Sequence, residues 1–281
     1  MGLTMPDFLH TLRDWSMSGL RLQSMIRAAE RVPAVPDSVR YSFGLVDRPM
    51  YAYGARKAVE LASSLGYSGV TLLEFGVGSG GGLKALSRHA RHYSRSSGLN
   101  VHVVGFDSGA GLPESTDFRD LLYVWSQGQY PMDSTDLRNQ LRGSAELVLG
   151  DVAETVPEFL RTHSEHLARN PLGFISFDLD YYSSTTSAFE VFRSAQDEQL
   201  LPRITSYFDD IITILDRTGE LAAITDFNDE GKHGYIGRVN ALRSHLPFDP
   251  AWADQIFEYH SFDHRDYNHH ESARNSPTWR P

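Results

Sequence analysis

The 281-residue chain contains no cysteine. Disulfides, thiolate zinc sites, iron–sulfur clusters and cysteine nucleophiles are therefore excluded. No apolar run reaches membrane-spanning length, and the opening Met1-Gly-Leu-Thr-Met-Pro-Asp-Phe8 lacks the basic-then-apolar plan of a signal peptide. Gly2 would suit N-terminal lipidation, but Pro6 stands where that motif takes Ser or Thr. A cytoplasmic protein with no membrane partner is expected. Basic residues are in the minority, 26 Lys+Arg against 36 Asp+Glu, which gives a formal charge of -10. Such a field repels phosphate backbones, so nucleic acid is not expected as a partner. Internal repeats at solenoid spacing are absent as well.

What is present is ordinary for a protein with one sizeable core: 41% of residues are hydrophobic and 22% charged. The segment Asp7–Arg31 reads as helical until Pro33 and Pro36 break it. From Tyr51 onward, short apolar runs alternate with amphipathic helices. The expected strands are Val70–Phe75, Val101–Phe106, Glu146–Leu149, Phe174–Phe177 and Ile204–Phe208, with Leu221–Ile224 and Ile256–His260 as the last two. Between them lie helices carrying Ala58, Leu61, Ala62 and Leu65; Leu83, Leu86 and Ala90; Asp136–Leu141; Val156–Leu167; and Phe189, Phe192 and Ala195. This alternation predicts an α/β fold with a mostly parallel sheet and helices on both faces. The expected organisation is an N-terminal helical extension or lid over residues 1–50, one domain over 51–265, and a polar tail over 266–281.

In open parallel sheets, ligands bind outside the carboxyl ends of the strands. Five consecutive strands end in a carboxylate: Glu74, Asp107, Asp151 after Gly150, Asp178, and the pair Asp209-Asp210. Any one of these acids has the alternative role of capping the helix that follows. Gathered on one rim they repel one another, so the site calls for cationic or hydrogen-donating company. A ligand with hydroxyls, amines or positive charge fits. Glu74-Phe-Gly76-Val-Gly78-Ser-Gly80-Gly-Gly82 fills the first strand-to-helix turn, where glycine lets backbone approach a ligand and the helix N-terminus offers free N–H groups. Gly76, Gly78 and Gly81 also satisfy the dinucleotide pattern G-x-G-x-x-G. Against a nicotinamide cofactor stand the acid two residues before the first glycine and the lack of a second nucleotide-binding half.

Glu74-x-Gly76-x-Gly78-x-Gly80 resembles the first motif of class I S-adenosylmethionine-dependent methyltransferases. Phe106-Asp-Ser-Gly-Ala-Gly-Leu-Pro113, Asp178-Leu-Asp180-Tyr-Tyr-Ser-Ser-Thr185 and Phe208-Asp209-Asp210 resemble, in order, segments of the macrocin O-methyltransferase family, which methylates sugar hydroxyls of natural products. The resemblance implies a Rossmann-like class I fold. It implies donor binding by Glu74, Gly76, Gly78, Gly80 and Ser108, with Asp107 at the ribose and Gly150-Asp151 at the adenine. It further implies Mg²⁺ on Asp178, Asp209 and Asp210, with Asp178 or Asp180 as base. Leu179 and Ser183 depart from the family's glycine and glutamate, and Pro202-Arg203 stands where the family turns on Gly-Gly before its fifth strand. These departures lie near the acceptor pocket.

Methyl transfer from a sulfonium to oxygen is an in-line displacement that needs alignment and a destination for the hydroxyl proton. A divalent metal lowers the pKa of that hydroxyl, and three aspartates suit Mg²⁺. The expectation is a Mg²⁺-assisted O-methyltransferase acting on a small hydroxylated molecule, a sugar or natural-product diol. The alternatives are a metal-independent methyltransferase and an inactive binding protein of the same fold. Arg48, Tyr51 and Tyr53 precede the first core helix, where this fold commonly covers the donor. His233 sits in a polar stretch with the reach of a second base, although a solvated loop is the simpler reading. Asp263, His264, His269 and His270 read as solvated tail. The aromatic loop Glu114–Met132 either forms a lid or packs on the N-terminal helices. Those helices are assigned either to the pocket cover or to a dimer contact.

Overall fold

The structure, a computed structural model, describes residues 37–211, 216–240, 242–246 and 250–269. The expected helix at Asp7–Arg31 and the tail from His270 onward lie outside the described residues. Helix α1 (Asp37–Ser42) leads through an irregular turn into α2 (Pro49–Ser64). Strand β1 (Gly69–Phe75) follows, then α3 (Gly81–Ser97), β2 (Asn100–Asp107) and a long loop to α4 (Ser134–Leu141). Next come β3 (Glu146–Leu149), α5 (Val152–Thr162), β4 (Leu172–Phe177), α6 (Tyr182–Ala188) and β5 (Leu200–Phe208). Helix α7 (Gly219–Glu230) and the strands β6 (Tyr235–Arg238) and β7 (Ile256–His260) complete the fold.

The seven strands lie in the order β3-β2-β1-β4-β5-β7-β6, parallel except for β7. Helices α2 and α3 pack on each other and on the central strands; α5, α6 and α7 form a second layer. The central strands β1 and β4 are buried along their whole length, as a sheet covered on both faces requires.

A row of phenylalanines fixes the position of the carboxylates. Phe75 is the register partner of Phe106 and of Phe177, and Phe177 of Phe208. Their rings run across the sheet at centroid separations of 4.9, 5.4 and 4.7 Å. Phe159, Phe189 and Phe257 cover them. Each buried ring contributes on the order of 1.5–3 kcal/mol, so a slip of register is heavily penalised. The residue after each phenylalanine then emerges at the same level. Backbone hydrogen bonds continue past the strand ends, from the Gly76 N–H to the Phe106 carbonyl and from the Asp178 and Asp209 N–H groups to Phe75 and Phe177.

Three expectations need correction. Leu221–Ile224 is not a strand; it lies inside α7, and the penultimate strand is Tyr235–Arg238. A four-residue apolar run has no period of its own, and the two alanines in it favour helix. The helix after β4 breaks at Phe189 and ends at Arg193, short of Ala195. Pro202-Arg203 lies within β5, not before it. Between the register pairs Leu172–Leu200 and Phe174–Thr205, four residues of β5 oppose one of β4, so the proline sits in an irregularity where its missing N–H costs no ladder bond.

Candidate active site

The strand-end acids converge as expected. A cavity of about 610 Å³ along the rim is lined by Glu74, Asp107, Asp151, Asp178, Asp180, Asp209 and Asp210, together with Gly76, Gly78, Ser108 and Gly150. Gly80 lies just behind it as the N-cap of α3. Gly76 has φ +81°, and a Cβ there would stand 1.6 Å from the Asp178 carbonyl oxygen. Only glycine lets β1 and β4 approach so closely at this point.

Glu74 points from β1 toward α2. Its Oε1 accepts the Tyr51 hydroxyl at 2.9 Å, Ser176 donates to the same hydroxyl at 2.8 Å, and Oε2 is buried with no partner. Burial dominates over the opposing Tyr51 hydrogen bond and the Arg48 charge, and the carboxyl is pushed up to about 8. Asp107 holds the glycine turn in shape: Oδ2 accepts the Gly78 N–H at 2.8 Å and Oδ1 the Gly109 N–H at 2.7 Å. Ser108 bonds within its own turn, to the Gly111 carbonyl. Asp151 serves both of its readings, lining the cavity while capping α5 through the Ala153 N–H.

At the other end of the cavity the acids crowd. Asp178 is raised well above the carboxylate range by burial, then by the charges of Asp209, Asp210, Glu74 and Asp180. Asp180 is raised to about 6 and Asp210 to about 7, each chiefly by burial and then by neighbouring carboxylates. The Asp180 N–H donates to Asp210 Oδ2, and the Asp210 N–H to Glu220 Oε2, both at 3.1 Å. Asp209 accepts a hydrogen bond from the Tyr207 hydroxyl. Asp180 itself has φ +59°, in a tight turn closed by the Tyr181 N–H on the Leu179 carbonyl. Backbone strain of this kind persists where the surroundings over-determine it, and it clusters at functional sites.

Charge and hardness make Asp178, Asp209 and Asp210 suitable for a divalent cation such as Mg²⁺. Among the described residues, however, no three His, Asp or Glu side chains converge on one point to ligate an ion.

Two residues outside the expected site set belong to the site. Glu220, fully buried on α7, supports Asp210 from behind and has its Oε1 unpartnered. Its signal was hidden because it lies directly before Leu221–Ile224, the segment taken for a strand, and not on a recognised helix. Arg48, which the sequence places only near the donor cover, is the one Lys, Arg or His lining this cavity among the described residues.

Other candidates fall away. Tyr53 packs against Trp252 and Tyr41, outside the cavity. His233 precedes β6, at the end of the sheet opposite the rim, where its carbonyl accepts the Tyr259 hydroxyl. His264 is not solvated tail; it is buried and bonded to the Asp197 carbonyl and the Asp266 N–H. The 114–132 loop docks on α6 and α7. Asp120, with no exposure, accepts the Ser183 N–H and hydroxyl at 2.9 and 2.7 Å, and Arg119 bonds Asp226 and lies 3.6 Å over the Tyr182 ring. Its far half brings Trp125, Gln129 and Tyr130 to the cavity wall. Among the described residues no helix is long and apolar enough to cross a membrane.

No family model and no curated protein matches the chain. Solved structures do. CalS11, a calicheamicin methyltransferase, is 19% identical over 87% of this chain and 91% of its own, with a TM-score of 0.52. An apo structure of CalS11, described as a TDP-rhamnose 3'-O-methyltransferase, covers 87% and 93% at 19% identity with a TM-score of 0.44. A CmcI apo structure covers 73% and 70% at 18% identity with a TM-score of 0.38. Likeness at these identities bears on the fold, and of these three only the first has a TM-score above 0.5. Strand order, glycine turn and that match agree: the chain has the Rossmann-like fold of class I S-adenosylmethionine-dependent methyltransferases.

Proposed function

We propose that the protein is an S-adenosylmethionine-dependent O-methyltransferase acting on a hydroxyl of a small molecule, a sugar or natural-product diol. The observation that carries this reading is the single cavity that runs from the glycine turn to a cluster of buried aspartates with raised pKa values. Glu74, Gly76, Gly78, Asp107, Ser108, Gly150 and Asp151 line the end suited to the donor, with Gly80 capping the helix behind the turn. Bound there, the donor supplies an electrophilic methyl group on a sulfonium.

The chain's own task is alignment and proton removal. Transfer forms an oxygen–carbon bond, breaks the sulfur–carbon bond and leaves the acceptor's hydroxyl proton to be taken up. Asp180 and Asp178 are the groups that would accept it. The burial that raises their pKa values makes them better bases than a free carboxylate. The solved structure of CalS11 is named as a calicheamicin methyltransferase, and that supports a natural product as acceptor.

Asp178, Asp209 and Asp210 would hold Mg²⁺, whose chemistry there would be to lower the pKa of the acceptor hydroxyl. The support is the concentration of buried negative charge, which one hard cation would neutralise. A metal-independent enzyme is the second reading, favoured by the absence of a converged ligand set among the described residues. The protein is proposed to be cytoplasmic, with a small-molecule acceptor as its partner.

The test is calorimetry with S-adenosylmethionine, followed by transfer of a labelled methyl group to a panel of hydroxylated sugars and diols. Both run with and without Mg²⁺ after chelator treatment. Micromolar donor binding with turnover supports the enzyme. Loss of turnover without Mg²⁺ separates the metal-assisted form from the metal-independent one. Donor binding without turnover on any acceptor favours an inactive binding protein.

A further inference from the structure

The loop between β2 and α4 shows solvent an apolar face. Among the described residues seven large hydrophobic side chains are exposed, and five of them, Phe118, Leu122, Tyr123, Val124 and Tyr130, fall in this one loop. Phe118 and Tyr123 are each 79% exposed. Scattered singly, such residues need no explanation; gathered in one segment they mark an interaction site. The display is also anchored. Asp120 and Leu121 are buried, Asp120 accepts the Ser183 hydroxyl on α6, and Arg119 pairs with Asp226 on α7. Leu121, at φ +51°, turns the chain, and its carbonyl accepts the N–H groups of Val124 and Trp125 at 2.7 and 3.1 Å. Leu122, Tyr123 and Val124 are left on the outside of that turn. Tyr130 is a second non-glycine residue in the left-handed region, φ +62°. Strain of this kind persists where the surroundings over-determine it, and it gathers at sites that need a fixed geometry.

The apolar surface runs on into the cavity. Trp125 follows Val124 directly and lines the cavity wall, as do Tyr130 and Pro131. The Trp125 and Tyr130 rings stand 6.3 Å apart at 62° and form one corner of that wall. Tyr130 is near enough to the acids that Asp180, Asp210 and Asp178 add to burial in raising the pKa of its hydroxyl. From the aspartates outward the surface is therefore first acidic, then aromatic, then apolar and open to solvent.

We infer that this loop recognises the apolar body of an amphiphilic acceptor. The hydroxyl to be methylated enters among the aspartates, the part that carries it meets Trp125 and Tyr130, and an apolar scaffold outside the cavity lies on Leu122, Tyr123 and Val124. The inference rests on the function proposed above. It narrows the acceptor from any small hydroxylated molecule to one whose hydroxyl-bearing part is attached to an apolar scaffold. The cavity has to take the donor as well, so an acceptor of that size extends beyond it. Continuity with the cavity wall selects this occupant, because a contact surface for a second copy of the chain has no reason to run into the aspartates. Leu122, Tyr123 and Val124 are then specificity-determining residues that touch no reacting atom.

The experiment is calorimetry on the full chain saturated with S-adenosylhomocysteine, with methyl β-glucopyranoside and 2-naphthyl β-glucopyranoside as probes. The two share a sugar and differ in the apolar group alone. The wild-type protein is expected to bind the naphthyl glucoside at least about tenfold more tightly than the methyl glucoside. Tyr123→Ser, and Leu122→Ser combined with Val124→Ser, are each expected to lower that ratio at least about threefold. Their affinity for S-adenosylhomocysteine should stay at the wild-type value, which also reports an intact fold. Tyr235→Ser and Phe262→Ser, at exposed apolar side chains outside the loop, are expected to keep the ratio. A wild-type ratio near one, a ratio that survives the loop variants, or one that falls equally in the two outside variants overturns the inference while the donor assignment stands. Light scattering on the same samples adds a further outcome: a wild-type dimer that Tyr123→Ser turns into a monomer gives the patch to a second copy and overturns the inference. A wild-type protein that does not bind S-adenosylhomocysteine overturns the donor assignment and the inference with it.

Discussion

Glu74→Gln isolates the cost of keeping a carboxyl group buried beside the glycine turn. The group is 1% exposed and its pKa is raised from 4.5 to about 8 in the folded protein. Because the folded value lies above the unfolded one, the folded state holds its proton more tightly. The stability this provides is full below about pH 4.5 and is lost progressively as pH rises to about 8. At about 1.36 kcal/mol per pH unit, the loss accumulated by pH 7 is on the order of 3 kcal/mol. Glutamine copies the shape of the protonated acid, and its oxygen accepts the Tyr51 hydroxyl as Oε1 does, but it does not titrate. Urea denaturation of both proteins from pH 4 to pH 8.5 therefore yields two curves that diverge. The variant gains on the wild type through that window, apart from a constant offset from the amide N–H. Groups beyond the reach of the Glu74 charge titrate alike in both proteins and cancel. Parallel curves would refute the reasoning, since they would mean that the Glu74 proton is bound equally in both states.

Further expectations concern the turn, the loop and the base. Gly76→Ala places a Cβ 1.6 Å from the Asp178 carbonyl oxygen at φ +81° and should prevent folding or cost several kcal/mol, whereas Gly78→Ala at φ +50° meets nothing within 4 Å and should cost about 1 kcal/mol; equal melting temperatures for the two would contradict this. Asp120→Ala leaves the Ser183 N–H at the start of α6 without its acceptor, at a cost of about 1–3 kcal/mol. Amide exchange over residues 114–132 should then accelerate, and an unchanged exchange profile would count against the anchor. If Asp180 takes the proton it must be ionised, so kcat/KM should fall as pH drops through about 6. Asp180→Asn should remove this limb and about 100-fold or more of the rate, and activity within threefold of wild type would exclude Asp180 as the base.

Much of this protein was legible before folding. The parallel sheet showed in the alternation of apolar runs with amphipathic helices, a short-range pattern of side chains that each element must satisfy by itself. Phe-Gly at 75–76 and Phe-Asp at 106–107, 177–178 and 208–209 marked the strand ends, because an apolar run stops where a carboxylate must meet solvent or ligand. The acids of the site followed from that rule and from the family resemblance, and the structure gathers them on one cavity. What the sequence left open depends on contacts between distant segments. Leu221–Ile224 reads equally as strand or helix until α6 and β6 pack against it, so Glu220 stayed out of view beside a misassigned segment. His233 and His264 looked alike as polar histidines, yet one lies at the far end of the sheet and the other is buried on the Asp197 carbonyl. Arg48 is 26 residues before Glu74 in the chain, and only the packing of α2 and α3 against β1 brings its unpaired charge to the glycine turn. Local periodicity determines which elements form. Which charges remain unpaired is decided by tertiary packing, because desolvation and partner distance have no one-dimensional signature.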